Sequence, residues 1–482
     1  MVIVSFAEGS IDQACLLGNK GARLADLMRL GCRVPDGFTL TTEACRAFYE
    51  AGEVLTSDIE EHLFAALGEL ECRTGKRFGD PSNPLLLAIR SGSPESMPGM
   101  MDTILNLGLN DAVVQGLAER TSDAEFAADC YRRFQQMYRT IATDVIPNDP
   151  KEQLLRAVAA VFASWNNRRA VVYRRIHGIS DQLFTAANVQ EMVFGNLGTR
   201  SASGVVFSRH PSTGAPALYG ETLLGAQGDD VVSGMVTPHG IELLEERMPD
   251  VYAELVATVA HVEAHYQDMQ EIEFTVQQGI LFLLQTRDGK RTTEAAVKIA
   301  VDLVRAGLVD RRIALQRVES DAFQQLLHLR LDRTAVAVPL ASGIPVVHGA
   351  VVGAIALDSE TALTKSRAGH SVLLVRRETD PNDYEAMTVA SGILTAFGGS
   401  TSHAAVTARP LGVPCIVGCA AISIDLKRRT IQIGHHTFAE GELLTLDGES
   451  GCVYAGALPL TEPELLPEVA VFRAWLNAEK QG

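Results

Sequence analysis

The 482-residue chain has no apolar run approaching the ~20 residues that a membrane helix needs. Its first residues, Met1-Val2-Ile3-Val4-Ser5-Phe6-Ala7-Glu8, have neither the basic start nor the long apolar stretch of a secretory leader, so a cytoplasmic protein is expected. Positive charge is in deficit. Forty-two Lys and Arg stand against 59 Asp and Glu, a formal net charge of −17. That argues against a broad nucleic-acid or anionic-membrane surface, although a phosphate site needs only local positive groups. The eight cysteines follow no metal-binding spacing. Cys415 and Cys419 form a C-x3-C pair with no second pair or His cluster to complete a zinc site, so reduced, mostly buried thiols are expected. No internal repeat and no low-complexity tract is present.

What is there suits a multidomain α/β protein. Apolar residues make up 46% and charged residues 21%, ordinary for globular chains, and the length suggests about three domains. Residues 1–110 alternate helical and strand patterns. Lys20 to Leu30 has helical spacing (Leu24, Leu27, Met28) and stops at Gly31. Residues 111–184 read as mostly helical, and strand character resumes from about 185. Thr334 to Pro345 is small, apolar and proline-punctuated, the pattern of a linker. Residues 346–457 hold four strand patterns and a closing hairpin over Leu443–Gly448 and Gly451–Tyr454. Residues 458–482 read as a second linker with a short amphipathic segment around Val471 to Leu476.

Four separated runs suit phosphate chemistry. Gly18-Asn19-Lys20-Gly21 opens a helix, with glycines that free the backbone and a lysine that offers a point charge. A solvated turn is the alternative. Ile89-Arg90-Ser91-Gly92-Ser93 leaves a strand with an arginine at its end. Pro94 to Thr103 follows, a short loop rich in Pro, Gly and Met with no periodic core reading, hence a mobile lid. Glu271-Ile272-Glu273 places two carboxylates on one strand face. Like charges side by side call for a cation, and Mg²⁺ bridging nucleotide phosphates is the natural one. A solvated strand face is the alternative. Leu284-Gln285-Thr286-Arg287 ends the paired strand of that hairpin.

The fifth run is Gly398-Gly399-Ser400-Thr401-Ser402-His403-Ala404-Ala405-Val406, after the strand pattern Gly392–Phe397. Thr401 or Ser402 can cap the helix that begins here. His403 then sits beside free N–H groups that favour an anion and a neutral ring. A neutral histidine at an anion site is what reversible phosphorylation on nitrogen requires. A capped helix with a structural histidine is the alternative.

Gly-Gly-x-Thr-Ser-His-Ala-Ala-Val-x-Ala-Arg resembles the phosphohistidine motif of the phosphoenolpyruvate-utilising enzymes. Gly18 to Leu27, Ala88 to Asp111, Val189 to Pro238 and Gln270 to Thr292 resemble the nucleotide-binding region of one branch, the pyruvate, phosphate dikinases. Ser96–Gly108 and Arg209-His210-Pro211-Ser212-Thr213-Gly214 separate that branch from the pyruvate, water dikinases. The resemblance implies an α+β ATP-grasp region over 1–333, built from 1–110 plus 185–333 with a helical part at 111–184. A linker at 334–345 and a small α/β swivelling phosphohistidine domain at 346–457 follow. It implies His403 as the phosphorylated residue, with Thr401 beside it. Lys20 and Arg90 would contact ATP phosphates. Gly99, Met101 and Asp102 would lie on the loop that closes over them, and Glu191, Met192 and Val193 would face adenine. Gln285 and Arg287 would line the site, and Glu271 and Glu273 would hold magnesium. The family usually has Asp at the place of Glu271, which keeps the charge but lengthens the reach. The helical part also looks shorter than in the family.

The function implied is ATP- and phosphate-dependent phosphorylation of His403, yielding AMP and pyrophosphate. In the family a C-terminal barrel carries the pyruvate and phosphoenolpyruvate site. No barrel pattern is read in 458–482, so the acceptor is expected on a separate protein. The alternatives are a non-catalytic ATP-binding regulatory subunit, and an antibiotic or small-molecule phosphotransferase of similar architecture. A homodimer stays open.

Overall fold

A computed structural model describes residues 2–141, 145–232, 237–319, 323, 329–332, 337–461 and 466–479. Residues 233–236 of the 189–238 run, 334–336 and 462–465 of the two expected linkers, and 480–482 of the tail lie outside the described residues. The chain divides into two compact units. One comprises Met1–Ala202 and Phe274–Arg287, the other Ser203–Glu273 and Asp288–Gly482.

The first unit is built on a five-stranded sheet of β1 (Ile3–Ser5), β2 (Gly37–Leu40), β3 (Leu87–Gly92), β4 (Thr103–Leu107) and β5 (Ala186–Glu191), in the order β1-β2-β5-β3-β4. Every pairing is antiparallel. Seven helices surround it: α1 (Ala14–Arg29), α2 (Thr42–Glu50), α3 (Ser57–Thr74), α4 (Asp111–Thr121), α5 (Ala124–Ile141), α6 (Pro150–Ala163) and α7 (Arg168–His177). The core joins Phe38, Ile89 and Val189 of the sheet to Phe48, Leu63, Phe134 and Phe162 of the helices. Polar side chains start these helices where four N–H groups would otherwise lack acceptors. Thr41, Thr56, Asn110, Asp149 and Asn167 each accept a backbone N–H at the N-cap. Among the described residues the helical stretch expected over 111–184 is four helices, α4 to α7, with side-chain N-caps on α4, α6 and α7.

In the second unit, β6 (Ala202–Phe207) neighbours β7 (Tyr219–Leu224) on one side and β8 (Gln270–Gln277) on the other. From Phe274 the chain belongs to the first unit, where it turns at Gln278-Gly279, both with positive φ, into β9 (Ile280–Asp288), and it returns to the second unit at Asp288. After α8 (Thr293–Arg305) come the strands of an eight-stranded sheet. They are β10 (Ala341–Ser342), β11 (Ile344–Val347), β12 (Ala350–Ala356), β13 (Val372–Arg376), β14 (Gly392–Thr395), β15 (Cys415–Val417), β16 (Leu443–Asp447) and β17 (Cys452–Ala455). The order is β10-β17-β16-β12-β13-β14-β15-β11. The middle run β12-β13-β14-β15 is parallel, and its strands are buried on both faces, which is why they read as continuous apolar runs. The hairpin expected at 443–454 is β16-β17, antiparallel.

The residues that flank this sheet pair with each other. Arg330-Leu331 runs antiparallel to Leu460-Thr461, and Asp332 N–H donates to Pro459 O at 3.0 Å. The amphipathic segment read at 471–476 is part of a longer helix, α9 (Pro467–Glu479), numbered in order of introduction. Its Val469 and Phe472 are buried against Val297, Ala300 and Val301 of α8, and Phe472 meets Phe323 and Trp475 at ring-centroid distances of 5.4 and 6.3 Å. No helix among the described residues is long and apolar enough to cross a membrane. All eight cysteines are free thiols, and burial pushes Cys415 up to about 12 and Cys419 up to about 11.

Because Phe472 is fully buried, Phe472→Ala is expected to cost about 3–5 kcal/mol, as for other buried aromatic truncations. Chemical denaturation of the whole chain measures this. A loss under about 0.5 kcal/mol, the range of surface changes, would mean that the helix does not pack in solution.

Candidate functional site

In the first unit the 18–21 and 89–93 runs come together through backbone contact. Gly18 has φ 67° and ψ 160°, which interrupts α1 and lets the helix restart at Asn19. A Cβ on Gly18 would lie 1.8 Å from the Gly92 carbonyl oxygen, so only glycine fits. Asn19 N–H donates to Ser93 O at 3.0 Å. Asn188 joins the cluster by accepting from Thr39 Oγ1 at 2.8 Å and donating to Arg90 O at 3.3 Å. Arg90 Nη1 donates to Leu284 O at 3.1 Å, beside Gln285. Lys20, Arg90 and the start of the 284–287 run are thus gathered in one unit, with Gln285 and Arg287 half-buried on β9.

The 94–103 loop, read from its composition as a mobile lid, has anchors that the composition does not show. Met97 and Met100 are buried against Trp165 and Ala170. Met100 O accepts from Asn167 Nδ2 and Arg169 Nε, both at 3.1 Å, and Asp102 pairs with Arg169. Burial nevertheless leaves the Asp102 carboxyl above its ordinary value, against the pull of Arg169. Gly99 is exposed at the tip with φ 71°. Methionine is unbranched and fills irregular gaps without a periodic pattern, which hid this contact from a reading by spacing. At the far end of β5, Glu191 pairs with Lys76 at 2.7 Å, and Met192 N–H donates to Leu86 O at 2.8 Å. Val193 follows, half-buried.

Glu271 and Glu273 lie on the part of β8 that belongs to the second unit. Glu271 is 2% exposed and Glu273 half-buried. No group of three or more His, Cys, Asp or Glu among the described residues is arranged to hold a metal. Two carboxylates fit Mg²⁺, which takes one or two protein oxygens and fills its octahedron with phosphate oxygens and water.

His403 is the first residue of a nine-residue helix, His403–Leu411, that ends at Gly412 in the left-handed region. Ser402 occupies the N-cap with extended backbone but makes no side-chain cap bond, and Thr401 does not cap either. Thr401 Oγ1 donates instead to Glu221 Oε2 at 2.9 Å. Ser400 N–H and Ser400 Oγ donate to Glu221 Oε1 at 2.6 and 2.7 Å. Ser402 Oγ and His403 Nε2 are buried without a hydrogen-bond partner among the described residues. Burial lowers the His403 pKa, opposed by Asp380 and Asp383, so the ring favours its neutral, nucleophilic form. The loop is closed from the other side by Arg409, 1% exposed, whose Nη2 donates to Ser400 O and whose guanidinium lies 5.2 Å from the Phe207 ring centre.

Glu221, Arg409 and Tyr219, which interacts with Ser400, were given no role by reading along the chain. Along the chain Glu221 carries no signal of its own, because Tyr-Gly-Glu-Thr-Leu-Leu is neither alternating nor an apolar run; its burial in the strand is what marks it. His210 accepts at Nδ1 from Ser212 N–H at 3.1 Å and packs with its ring centre 4.2 Å from that of Tyr219, the rings tilted by 48°.

Burial, with His348 and Arg409 nearby, lowers His210 to about 4. A histidine lowered in the folded state binds fewer protons there than when unfolded, so stability is full above about pH 6.5 and is lost as pH falls toward about 4. His210→Gln is expected to flatten the drop in Tm between those pH values. An unchanged slope would show that His210 does not set acid sensitivity.

Residues 52–251 and 248–307 match the family described as Pyruvate phosphate dikinase, AMP/ATP-binding domain. Residues 369–451 match PEP-utilising enzyme, mobile domain. Over 98% of its length the chain is 42% identical to pyruvate, phosphate dikinase of Clostridium symbiosum, covering 60% of that protein. It is 41% identical to the Rhizobium meliloti enzyme over the same share of the chain, again covering 60%. To pyruvate, phosphate dikinase 2 of Zea mays it is 42% identical, covering 59%. The chain thus spans about 60% of the length of these curated relatives, and the first match alone takes in more than half of its own residues. On that match the chain belongs to the pyruvate, phosphate dikinase family.

Proposed function

We propose that the protein is a dikinase-like phosphotransferase that uses ATP and inorganic phosphate to phosphorylate His403, and that it passes the phosphoryl group to pyruvate or another acceptor on a separate protein. The observation that carries this reading is His403 itself. It is a half-buried ring held toward its neutral form, with Nε2 buried and unbonded, at the uncapped start of a helix. An uncapped helix start leaves N–H groups and the positive end of the dipole for an incoming phosphoryl group.

The balance is ATP, phosphate and histidine to AMP, pyrophosphate and phosphohistidine. The α-phosphate leaves in AMP, the γ-phosphate and the added phosphate leave as pyrophosphate, and the β-phosphoryl group stays on nitrogen. Lys20 and Arg90 would neutralise phosphate oxygens, and Arg90 is oriented for this by its bond to Leu284 O. The Met100 and Asp102 anchors to Arg169 would set the resting position of the loop over the phosphates. Glu191, Met192 and Val193 would form the edge that faces adenine. Gln285 and Arg287 would line the same site. Glu271 and Glu273 would hold Mg²⁺, which spreads the charge of the transferring phosphoryl group when bound.

The test uses ATP labelled at the β-phosphate, with Mg²⁺ and phosphate. Acid-labile label is expected on the wild-type protein and none on His403→Ala. Label that survives His403→Ala would place the phosphoryl group elsewhere. A wild-type protein that binds ATP but takes no label would be the non-catalytic nucleotide-binding protein instead.

A further inference from the structure

We propose that Glu221 is a positioning residue that fixes the 399–401 loop, and through it His403, against strand β7. The inference rests on reading His403 as the phosphoryl acceptor. It adds a residue that touches neither ATP nor the ring.

Three features single out Glu221. It is 6% exposed, and no lysine, arginine or histidine among the described residues forms an ion pair with it. A buried carboxylate without a cation is costly unless its oxygens receive hydrogen bonds. Its recorded donors all come from one place, the N–H and Oγ of Ser400 and the Oγ1 of Thr401. Second, the loop meets the carboxylate without a gap. A Cβ on Gly399 would lie 2.6 Å from both Glu221 oxygens, and Gly399 does not have positive φ, so the carboxylate rather than the backbone excludes a side chain there. Third, the ordinary local means of fixing a helix start is missing, because Ser402 makes no side-chain cap bond.

The position of the helix start is therefore set by tertiary contact. Ser400 is held at three atoms: its N–H and Oγ by Glu221, and its carbonyl by Arg409. His403 begins its helix three residues later. Hydrogen bonds to an ionised acceptor are among the stronger ones in a protein, and all three would have to break together for the loop to leave β7.

The experiment compares Glu221→Gln, Glu221→Ala, Gly399→Ala and the Glu221→Ala/Gly399→Ala double variant in the full chain. One readout needs no ATP: hydrogen exchange at the Ser400 amide. Losing its acceptor is expected to speed exchange about tenfold in Glu221→Ala, with a smaller change in Glu221→Gln, which keeps the size of the side chain. The second readout is the single-turnover rate of His403 labelling at saturating ATP. A positioning role predicts a fall of about tenfold with the KM for ATP within about twofold. Gly399→Ala should produce a similar fall. It should cost nothing further in the Glu221→Ala background, where the clashing oxygens are gone.

Unchanged Ser400 exchange in a folded Glu221 variant, or a Gly399→Ala effect that adds in full to Glu221→Ala, would overturn the proposal. If wild type takes no label, the proposed function fails. Exchange at Ser400, and the Tm of Gly399→Ala with and without Glu221, still decide the clamp. Should Glu221→Ala not fold, the size-preserving Glu221→Gln decides both readouts.

Discussion

A polar loop can be buried only if each of its polar atoms finds a partner, and that requirement organises the second unit. The 399–402 segment carries hydroxyls, amides and carbonyls into a place with almost no water. Glu221 and Arg409 answer it from opposite sides, one accepting and one donating. Each is itself a charge that would be prohibitive to bury alone. The loop is the go-between. It meets the carboxylate with donors and the guanidinium with a carbonyl, so two buried charges are accommodated without touching. Four atoms are left outside this accounting: Arg409 Nε and Nη1, and Ser402 Oγ and His403 Nε2 at the helix start.

The first unit solves a different problem, bringing backbone close to backbone. Removing a side chain at Gly18 and turning φ positive lets α1 touch the end of β3. A lysine from a helix and an arginine from a strand then share one neighbourhood, although 70 residues of sequence separate the two runs. Asn188 locks the arrangement with bonds to two different strands. Precision here comes from rigid elements, while the Met-rich loop beside them is held by soft, adaptable contacts.

How much of this is legible along the chain depends on the range of the interaction concerned. Strand and helix patterns in 346–457 were readable because period and burial are local properties, and the 443–454 hairpin shows it. The Gly18 run, Arg90 and His403 stand out because glycine next to a charged or nucleophilic side chain is a local signature. Of the two cap candidates, Ser402 takes the N-cap position without a cap bond, and Thr401 Oγ1 goes to Glu221, 180 residues away, because residue type shows what a side chain is able to do and not which partner wins it. Glu221 and Arg409 lie inside runs that carry the resemblance, and their roles stay illegible for the same reason. The strand β7, with a glycine and a glutamate inside it, has neither the alternation nor the apolar run that marks a strand. The buried methionines of the 94–103 loop were missed because their order has no period.

The paired strands Arg330-Leu331 and Leu460-Thr461 bring the two ends of the intervening segment side by side, while Ser400, Thr401 and Arg409 inside it also meet Glu221 and Phe207. Chain enters and leaves at neighbouring points, so tension applied to the rest of the molecule would run through that short ribbon and bypass the eight-stranded sheet. A short connector would close those ends if the segment were removed, but Glu221 would then lose the Ser400 and Thr401 donors that let it stay buried.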